Sequence, residues 1–211
     1  MSRAAGIDVG VRKGCDVVVL DGRDVVEHWP GVFPDELAAL LGRQDPDVVA
    51  IDAPPAYAPT GSTRRAEREL MRRGIRLYVT PDEVSGAQLA WYAWMRVGFA
   101  CFDAIAPTFP RYRGGDYSGH ACEVFPHATA VVLSGALPDR NVRKAVHRRA
   151  VLERCGIATS GLRTIDALDA ALCALTGVIA LDGGACVVGD ADEGVIVLPA
   201  TTLPKRYVST P

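Results

Sequence analysis

The first fifty residues alternate short apolar runs with polar turns, the pattern of an antiparallel meander that leads into a buried strand. The three runs of the meander cover residues 4–9, 14–21 and 24–29. Asp21-Gly22 between the second and third runs is a strong hairpin signal. Pro34 and the two acids after it predict a helix that extends to about Arg43. The continuous apolar run 47–52 then predicts a central strand that is covered on both faces.

Helical patterns dominate the remainder of the chain. Helices are predicted at residues 62–73, 85–105, 127–134, 142–155 and 165–181, and strands at 120–125, 185–188 and 195–198. Thr80-Pro81-Asp82-Glu83 has the composition of a capping box before the second of these helices. The sequence contains no internal repeat, low-complexity tract or linker. We therefore expect a single α/β domain over residues 1–211, with inserted helices and a C-terminal hairpin.

The predicted helix 85–105 is rich in aromatic side chains. Trp91, Trp94 and Phe102 fall on more than one face of a helix with 3.6 residues per turn. Such a helix is either buried on several sides or forms a dimer interface. We expect Trp91 and Trp94 to belong to the hydrophobic core, with a homodimer as the alternative.

Composition and charge narrow the class of partner. The 211 residues carry a formal net charge of -2, so any binding of nucleic acid has to come from a local basic patch. The six cysteines form no C-x-x-C pair, which argues against a structural zinc site and indicates reduced thiols. The sequence shows no signal peptide and no apolar run of membrane-spanning length. These features predict a cytoplasmic protein with no membrane partner.

Acidic residues stand where predicted strands end or a predicted helix begins. They are Asp8, Asp52, Glu123, Asp166 and Asp169. Asp8 and Asp52 would project from neighbouring strands, and Asp166 and Asp169 would share one helix face. Such a cluster repels itself unless cations neutralise it, and two Mg²⁺ or Mn²⁺ ions about 3.5–4 Å apart would activate a water for attack on a phosphodiester. All five are candidate catalytic residues, and the four aspartates are candidate metal ligands.

Several segments resemble known families. Gly6-Ile7-Asp8-Val9-Gly10 is similar to the first-strand motif of the ribonuclease H-like superfamily, and Asp166-Ala167-Leu168-Asp169 resembles the C-terminal helix of RuvC-type resolvases. The whole chain resembles a family of predicted nucleases of the RNase H fold, the domain of unknown function 429. The marks of that family occur in order, namely Ile51-Asp52-Ala53-Pro54-Pro55, the charged helix 64–75, Glu123-Val124-Phe125-Pro126, the Asp166–Asp169 segment and Glu193-Gly194-Val195-Ile196.

The resemblance implies a fold and an activity. The fold is a ribonuclease H-like mixed sheet, made of an antiparallel meander plus parallel strands and flanked by helices. The activity is that of a Mg²⁺- or Mn²⁺-dependent nuclease, with nucleic acid of unknown type as the partner. A non-catalytic module that binds nucleic acid or a phosphorylated ligand is the main alternative. A sugar-kinase-like phosphotransferase also shares the first-strand motif, but it needs a second domain for which this chain has no room.

Two of the acids have alternative explanations. Asp166 lies in the first turn of its helix, where a carboxylate stabilises the helix dipole without any catalysis. Asp169 is one turn further in, so the dipole explains it less well. Glu123 is either a metal ligand reached from its strand or a structural partner for an arginine of the helix 62–73. The sequence leaves both roles of Glu123 open.

Basic residues supply the candidates for substrate contacts. Arg64 and Lys144 are the candidates for phosphate binding, although glutamates interleaved along both helices permit ordinary i,i+4 pairs on a solvated face. Arg111 and Arg113 lie in a loop that also contains tyrosines, a mixture typical of single-strand stacking platforms. Because that loop has two glycines, a disordered lid is the alternative. His127 is a minor candidate.

Overall fold

The computed structural model describes residues 1–61 and 63–209. The strands are β1 (Arg3–Asp8), β2 (Cys15–Asp21), β3 (Asp24–Val32), β4 (Val48–Asp52), β5 (His120–Val124), β6 (Cys186–Asp190) and β7 (Gly194–Leu198). The helices are α1 (Pro34–Gln44), α2 (Arg65–Arg72), α3 (Glu83–Gly86), α4 (Ala93–Ile105), α5 (Pro126–Ser134), α6 (Lys144–Arg154) and α7 (Ile165–Leu181), with a 3₁₀ turn at Ala90–Tyr92. The order of strands and helices is the predicted one.

The strands form one mixed sheet in the order β3-β2-β1-β4-β5-β7-β6. The first three strands are antiparallel to one another, and β4, β5 and β7 continue the sheet in parallel from β1. The last hairpin places β6 antiparallel to β7 at the edge. This topology confirms the predicted ribonuclease H-like sheet of an antiparallel meander plus parallel strands, with flanking helices and a C-terminal hairpin.

The two faces of the sheet pack against different helices. Ala4 and Ala50 face the long apolar helix α7, whereas Val49, Ile51 and Ala121 face α1 and α4. Because side chains alternate along a strand, each acid at a strand end points to the same face as the residue two positions before it. Asp8 and Asp52 therefore share the α7 face, and Glu123 shares the opposite face with Ala121.

A glycine allows α7 to approach the central strand closely. A Cβ atom at Gly6 would overlap the carbonyl oxygen of Ala170 and the amide nitrogen of Ala174. The backbone of α7 thus lies directly over β1, two residues before Asp8. This close approach sets the height of Asp166 and Asp169 relative to the sheet.

The predicted helix 85–105 is wrong in its first half. α3 ends at Gly86, and α4 begins only at Ala93 after the 3₁₀ turn. Because of this break, Trp91 leaves the core and is 62% exposed, whereas Trp94 packs against the core beneath α4. The core prediction is therefore wrong for Trp91.

Two helix starts also differ from the prediction. The N-cap of α3 is Asp82, whose carboxylate accepts a hydrogen bond from the amide of Ser85 at 2.8 Å. Thr80 does not cap this helix, because its hydroxyl donates to Glu67 instead. α2 begins at Arg65, and the predicted start at Ser62 lies outside the described residues.

Across the part of the chain that is described, none of the helices combines the length and the apolarity that crossing a bilayer requires.

Candidate functional site

Four aspartates meet at the carboxyl edge of the sheet, and we call them the aspartate cluster: Asp8, Asp52, Asp166 and Asp169. The parallel ladder of β1 and β4 pairs the Cα positions of Asp8 and Asp52 directly. α7 brings Asp166 and Asp169 over the same edge, and the charges of both reach Asp8. Thr164 accepts the amide of Ala167 as the cap of α7, and Asp166 lies in the first turn after this cap.

The electrostatics of the aspartate cluster show an excess of negative charge. Burial raises the pKa of Asp8 well above its ordinary value, and the charges of Asp52, Asp169 and Asp166 raise it further. Burial and the charge of Asp169 raise the pKa of Asp52 to about 7. Lys144 acts in the opposite direction on both groups. The cluster therefore holds more carboxylates than its resident cations neutralise.

Two cations from α6 neutralise Asp169. Arg148 Nε donates to Oδ1 of Asp169 at 2.9 Å, and Lys144 Nζ lies 2.6 Å from Oδ2. Arg148 is buried, whereas the Lys144 side chain is 59% exposed. Solvent therefore screens the pair with Lys144 more than the buried pair with Arg148. Both cations hold the same carboxylate, but only Lys144 reaches solvent.

Glu123 belongs to a separate buried network on the opposite face of the sheet. Arg64 donates from Nη1 and Nη2 to its two carboxylate oxygens at 2.7 and 2.5 Å. The Nε atom of Arg64 donates to Glu67 at 2.9 Å, and Glu67 also accepts from the amide of Thr80 at 3.0 Å. Of the two roles that the sequence leaves open for Glu123, the structure therefore favours that of a structural partner for an arginine.

This network also changes the picture of Arg64. Its side chain is only 2% exposed, and all three of its nitrogen atoms donate to carboxylates. Arg64 therefore offers no free guanidinium for the predicted phosphate contact. Lys144, in contrast, lies at the aspartate cluster and reaches solvent, as a phosphate ligand requires.

The loop with Arg111 and Arg113 directs its two tyrosines towards each other. Tyr112 is buried, and its ring stacks on that of Tyr117 with the centroids 4.5 Å apart and an angle of 16°. Both rings pack on the core beneath α7, with Tyr112 buried and Tyr117 partly buried. Arg111 is half-buried near Glu123 and Arg64, whereas Arg113 is exposed.

A cavity of about 260 Å³ opens beside the aspartate cluster. Asp52 and Lys144 lie on one side of it, and Tyr78, Trp94 and Phe125 form an aromatic wall. Arg64 and Glu123 also line it. The site therefore combines carboxylates, an exposed lysine and aromatic side chains around one small cavity.

Sequence reasoning missed two contributors to this site. Arg148 was one of several basic residues in its helix, yet its spacing of four from Lys144 places both cations on one helical face. That spacing could have singled it out as a partner for Asp169. Tyr78 carries no such signal, since it lies in an irregular segment between α2 and α3 and only tertiary structure brings it to the cavity. His127 lies further along the same surface, where burial lowers its pKa to about 4.

The donor set of the aspartate cluster fits a hard divalent cation. Carboxylate oxygens are the ligands that Mg²⁺ and Mn²⁺ prefer, and burial together with neighbouring carboxylates raises the pKa values of Asp8 and Asp52. Within residues 1–61 and 63–209, however, no group of three or more His, Cys, Asp or Glu side chains is arranged to hold a metal ion.

The sheet order and the acids at the ends of β1 and β4 define a protein of the ribonuclease H-like fold. The model of a family described as a protein of unknown function (DUF429) matches residues 6–193, and the chain belongs to this family. No curated protein matches the sequence significantly. Among solved structures, RuvC of Thermus thermophilus is similar at 18% identity and a TM-score of 0.42, over 86% of this chain and 96% of its own. A likeness this distant says nothing about chemistry.

Proposed function

We propose that the protein is a metal-dependent nuclease that hydrolyses phosphodiester bonds at the aspartate cluster, with Mg²⁺ or Mn²⁺ as its cofactor. The observation that carries this proposal is the convergence of four aspartates at one edge of the sheet, where Asp8 and Asp52 are paired in the ladder and buried beside other carboxylates. Such an arrangement costs stability in the metal-free protein, and a divalent cation would relieve it. The six free cysteines fit a reducing compartment such as the cytoplasm.

Each residue of the cluster has a separate part in this function. Asp8, Asp52 and Asp169 would hold the cation, and Asp166 would add charge from the first turn of α7. When bound, the cation would polarise a phosphate oxygen and acidify a water for the attack. Lys144 would turn from Asp169 to the substrate phosphate, since its side chain is exposed and its amine already lies at the cluster. Arg148 would keep Asp169 in place throughout.

The test is a cleavage assay with Mn²⁺ on single-stranded, duplex and branched DNA and RNA, together with calorimetric titration of Mn²⁺. We expect Asp8→Asn to abolish cleavage and to weaken Mn²⁺ binding by at least about tenfold, because it removes one charged ligand. The melting temperature of the metal-free variant should be unchanged or higher, since the substitution removes a repelled charge. Asp103→Asn is the matched control, because Asp103 is an exposed aspartate of α4.

Two results would contradict the proposal. If Asp8→Asn cleaves as fast as the wild type, a contaminating nuclease is responsible for the activity. If the wild type binds no Mn²⁺ at millimolar concentration, the cluster is not a metal site. Anomalous density in a Mn²⁺-soaked crystal would locate the ion, with peaks expected about 2.0–2.3 Å from carboxylate oxygens.

A non-catalytic binding module is the second candidate, and the ion pairs on Asp169 are the observation that favours it. If Lys144 and Arg148 are the permanent partners of this carboxylate, no metal is required there. Lys144→Met separates the two functions. It should strengthen Mn²⁺ binding by about tenfold if the lysine competes with a metal, and it should leave a binding module without any Mn²⁺ affinity. Arg143→Met, at the adjacent exposed position, serves as the control.

A further inference from the structure

An exposed group of aromatic side chains borders the aspartate cluster, and we call it the aromatic patch: Tyr78, Trp91 and Trp94. The ring of Tyr78 lies 5.4 Å from that of Trp91 and 6.4 Å from that of Trp94, both edge to face. Tyr78 and Trp91 are each 62% exposed. Trp94 and Tyr78 also line the cavity beside Asp52. Two large aromatic rings thus face solvent next to the proposed site.

A row of cations leads away from the same point. The cavity beside Asp52 continues into two further depressions of about 560 Å³ each, which share lining residues with their neighbours. Tyr78 and Lys144 line both the first and second spaces, and Arg76 and Arg140 line both the second and third. Arg206 lies at the far end. We call this continuous surface the basic groove and define it by Lys144, Arg140, Arg76 and Arg206.

The charge of the basic groove is largely unopposed. Among the residues described, no carboxylate lies within 4.0 Å of the guanidinium of Arg76, Arg140 or Arg206. All three side chains are exposed. Within the described part of the chain, one acidic residue, Asp139, lines the middle depression, and none lines the far one. In a chain of net charge -2, such a stretch is a local site for a polyanion.

We propose that the aromatic patch and the basic groove together bind a single-stranded segment of nucleic acid. Bases stack on Tyr78 and Trp91, and the phosphates that follow lie along Arg140, Arg76 and Arg206. Lys144 marks the point where the strand enters the aspartate cluster. The inference rests on the proposed function for the fate of the strand, because it names the substrate of that site, but strand binding itself needs no metal.

The chemistry of the aromatic patch selects an unpaired strand over a duplex. An aromatic ring offers a base only its flat face, and a base presents that face only when it is unstacked. In a duplex the faces of the bases are covered by neighbouring base pairs, so the aromatic patch cannot stack on them. The groove would bind the phosphates of either form, so the aromatic patch decides between them.

The test measures binding in EDTA, where cleavage cannot occur. A fluorescein-labelled oligothymidylate of about 15 nucleotides, long enough for single-strand sites of this kind, is compared by anisotropy with a duplex of the same length. We expect the single strand to bind at least about tenfold more tightly. The affinity should fall with salt at a slope of about 0.7 per phosphate contact, as expected for single strands.

The two halves of the surface should respond differently to substitution. Tyr78→Ala with Trp91→Ala should weaken binding of the single strand by about tenfold or more and leave the salt slope unchanged. Tyr78→Phe should bind the single strand as tightly as the wild type, because stacking needs only the aromatic ring. Arg76→Gln with Arg140→Gln should weaken binding and reduce the salt slope by about 1.4, twice the value for one phosphate.

Matched controls come from α1 and the residue before it. Phe33 is a 48% exposed aromatic residue outside the patch, and Arg43 is an exposed arginine outside the groove. Phe33→Ala and Arg43→Gln should change neither affinity nor slope. Equal losses in these variants, or a duplex that binds as tightly as the single strand, would overturn the proposal. So would a wild-type dimer in sedimentation that Trp91→Ala dissociates without loss of oligonucleotide binding, since the patch would then join two copies of the chain.

The outcome for this inference is separable from that for the nuclease. Binding in EDTA with the expected pattern, but without cleavage in Mn²⁺, keeps the groove and removes the nuclease. Cleavage by the aspartate cluster without single-strand binding in EDTA keeps the nuclease and removes the groove.

Discussion

The behaviour of single residues at this site follows from burial beside like charge. Asp8 and Asp52 are acids whose pKa values are raised because solvent is limited and other carboxylates are near. Ordinary surface aspartates have pKa values near 3.9. Because these pKa values are raised on folding, the stability of the metal-free protein should fall as pH rises. Buried carboxylates with ion-pair partners have the opposite effect.

The first prediction concerns this pH dependence. Because the folded-state pKa of Asp52, about 7, is higher than its unfolded value, the folded protein binds more protons than the unfolded chain between about pH 4 and 7. Stability should therefore fall as pH rises through that window, by at least about 1 kcal/mol, or about 2–4 °C in melting temperature. The measurement is calorimetry in EDTA between pH 5 and 8.

Asp52→Asn should flatten this pH profile, and Asp103→Asn should preserve it. A wild-type melting temperature that rises steadily from pH 5 to pH 8 would contradict the assignment. Addition of Mn²⁺ at pH 8 should recover the lost stability in the wild type, because the cation replaces the missing protons.

At the scale of secondary-structure elements, two contacts hold the site in place. Gly6 lets the backbone of α7 lie on β1, which fixes the distance between the aspartates of the helix and those of the strands. On the other face, the Arg64–Glu123 pair joins the start of α2 to β5. Neither contact involves the reacting groups, yet each positions an element that borders the cavity.

The second prediction is that Gly6→Ala displaces α7. The added methyl would overlap backbone atoms of Ala170 and Ala174, which cannot move individually. We expect a loss of about 2 kcal/mol or more in the free energy of unfolding, together with weaker Mn²⁺ binding. Gly42→Ala is the matched control, since Gly42 lies in α1 with nothing within 4 Å of an added Cβ. It should stabilise the protein by about 0.5–1 kcal/mol.

The third prediction concerns the buried ion pairs. Arg64→Met leaves Glu123 and Glu67 buried without their partner, so it should cost about 3–5 kcal/mol in urea unfolding. Arg65→Met removes the neighbouring i,i+4 pair with Glu69, in which the arginine is 59% exposed, and should cost less than about 1 kcal/mol. If the two variants were equally stable, the Arg64 network would not anchor α2. Glu123→Gln added to Arg64→Met should recover part of the loss.

At the scale of the whole molecule, the sheet joins distant parts of the chain. β7, near the C-terminus, pairs with β5, and the amide of Tyr207 donates to the carbonyl oxygen of Arg73. Long-range pairing of this kind links early and late segments. We therefore propose that the chain is one domain, as expected from the absence of linkers.

The fourth prediction follows from that organisation. Urea unfolding should occur in one cooperative transition, with coincident midpoints by tryptophan fluorescence and by far-ultraviolet circular dichroism. The tryptophans lie in β3 and near α4, whereas the dichroism signal is dominated by helices throughout the chain, so the two probes observe different regions. Separate midpoints would indicate independent units and would contradict a single domain.

Much of the fold was predictable because local sequence patterns specify its strands, turns and helix starts. The Asp-Gly hairpin, the proline at the start of α1 and the apolar run of β4 each have a local physical cause, and the structure confirms all three. The break before α4 was not predictable, since the aromatic residues at 89–94 suit a helix as well as a turn. Trp91 was consequently assigned to the core, although it is exposed.

The sequence by itself determined the order of the strands and helices, the family, and which acids stand at strand ends, because these depend on local periodicity and on motifs. Only the tertiary structure decided how those acids are partnered. Side-chain alternation places Glu123 on the face opposite the aspartate cluster, where it pairs with Arg64. Packing of α6 on α7 brings Arg148 and Lys144 to Asp169. Partner choice depends on the energetic cost of burying a charge, and burial is a property of the folded molecule.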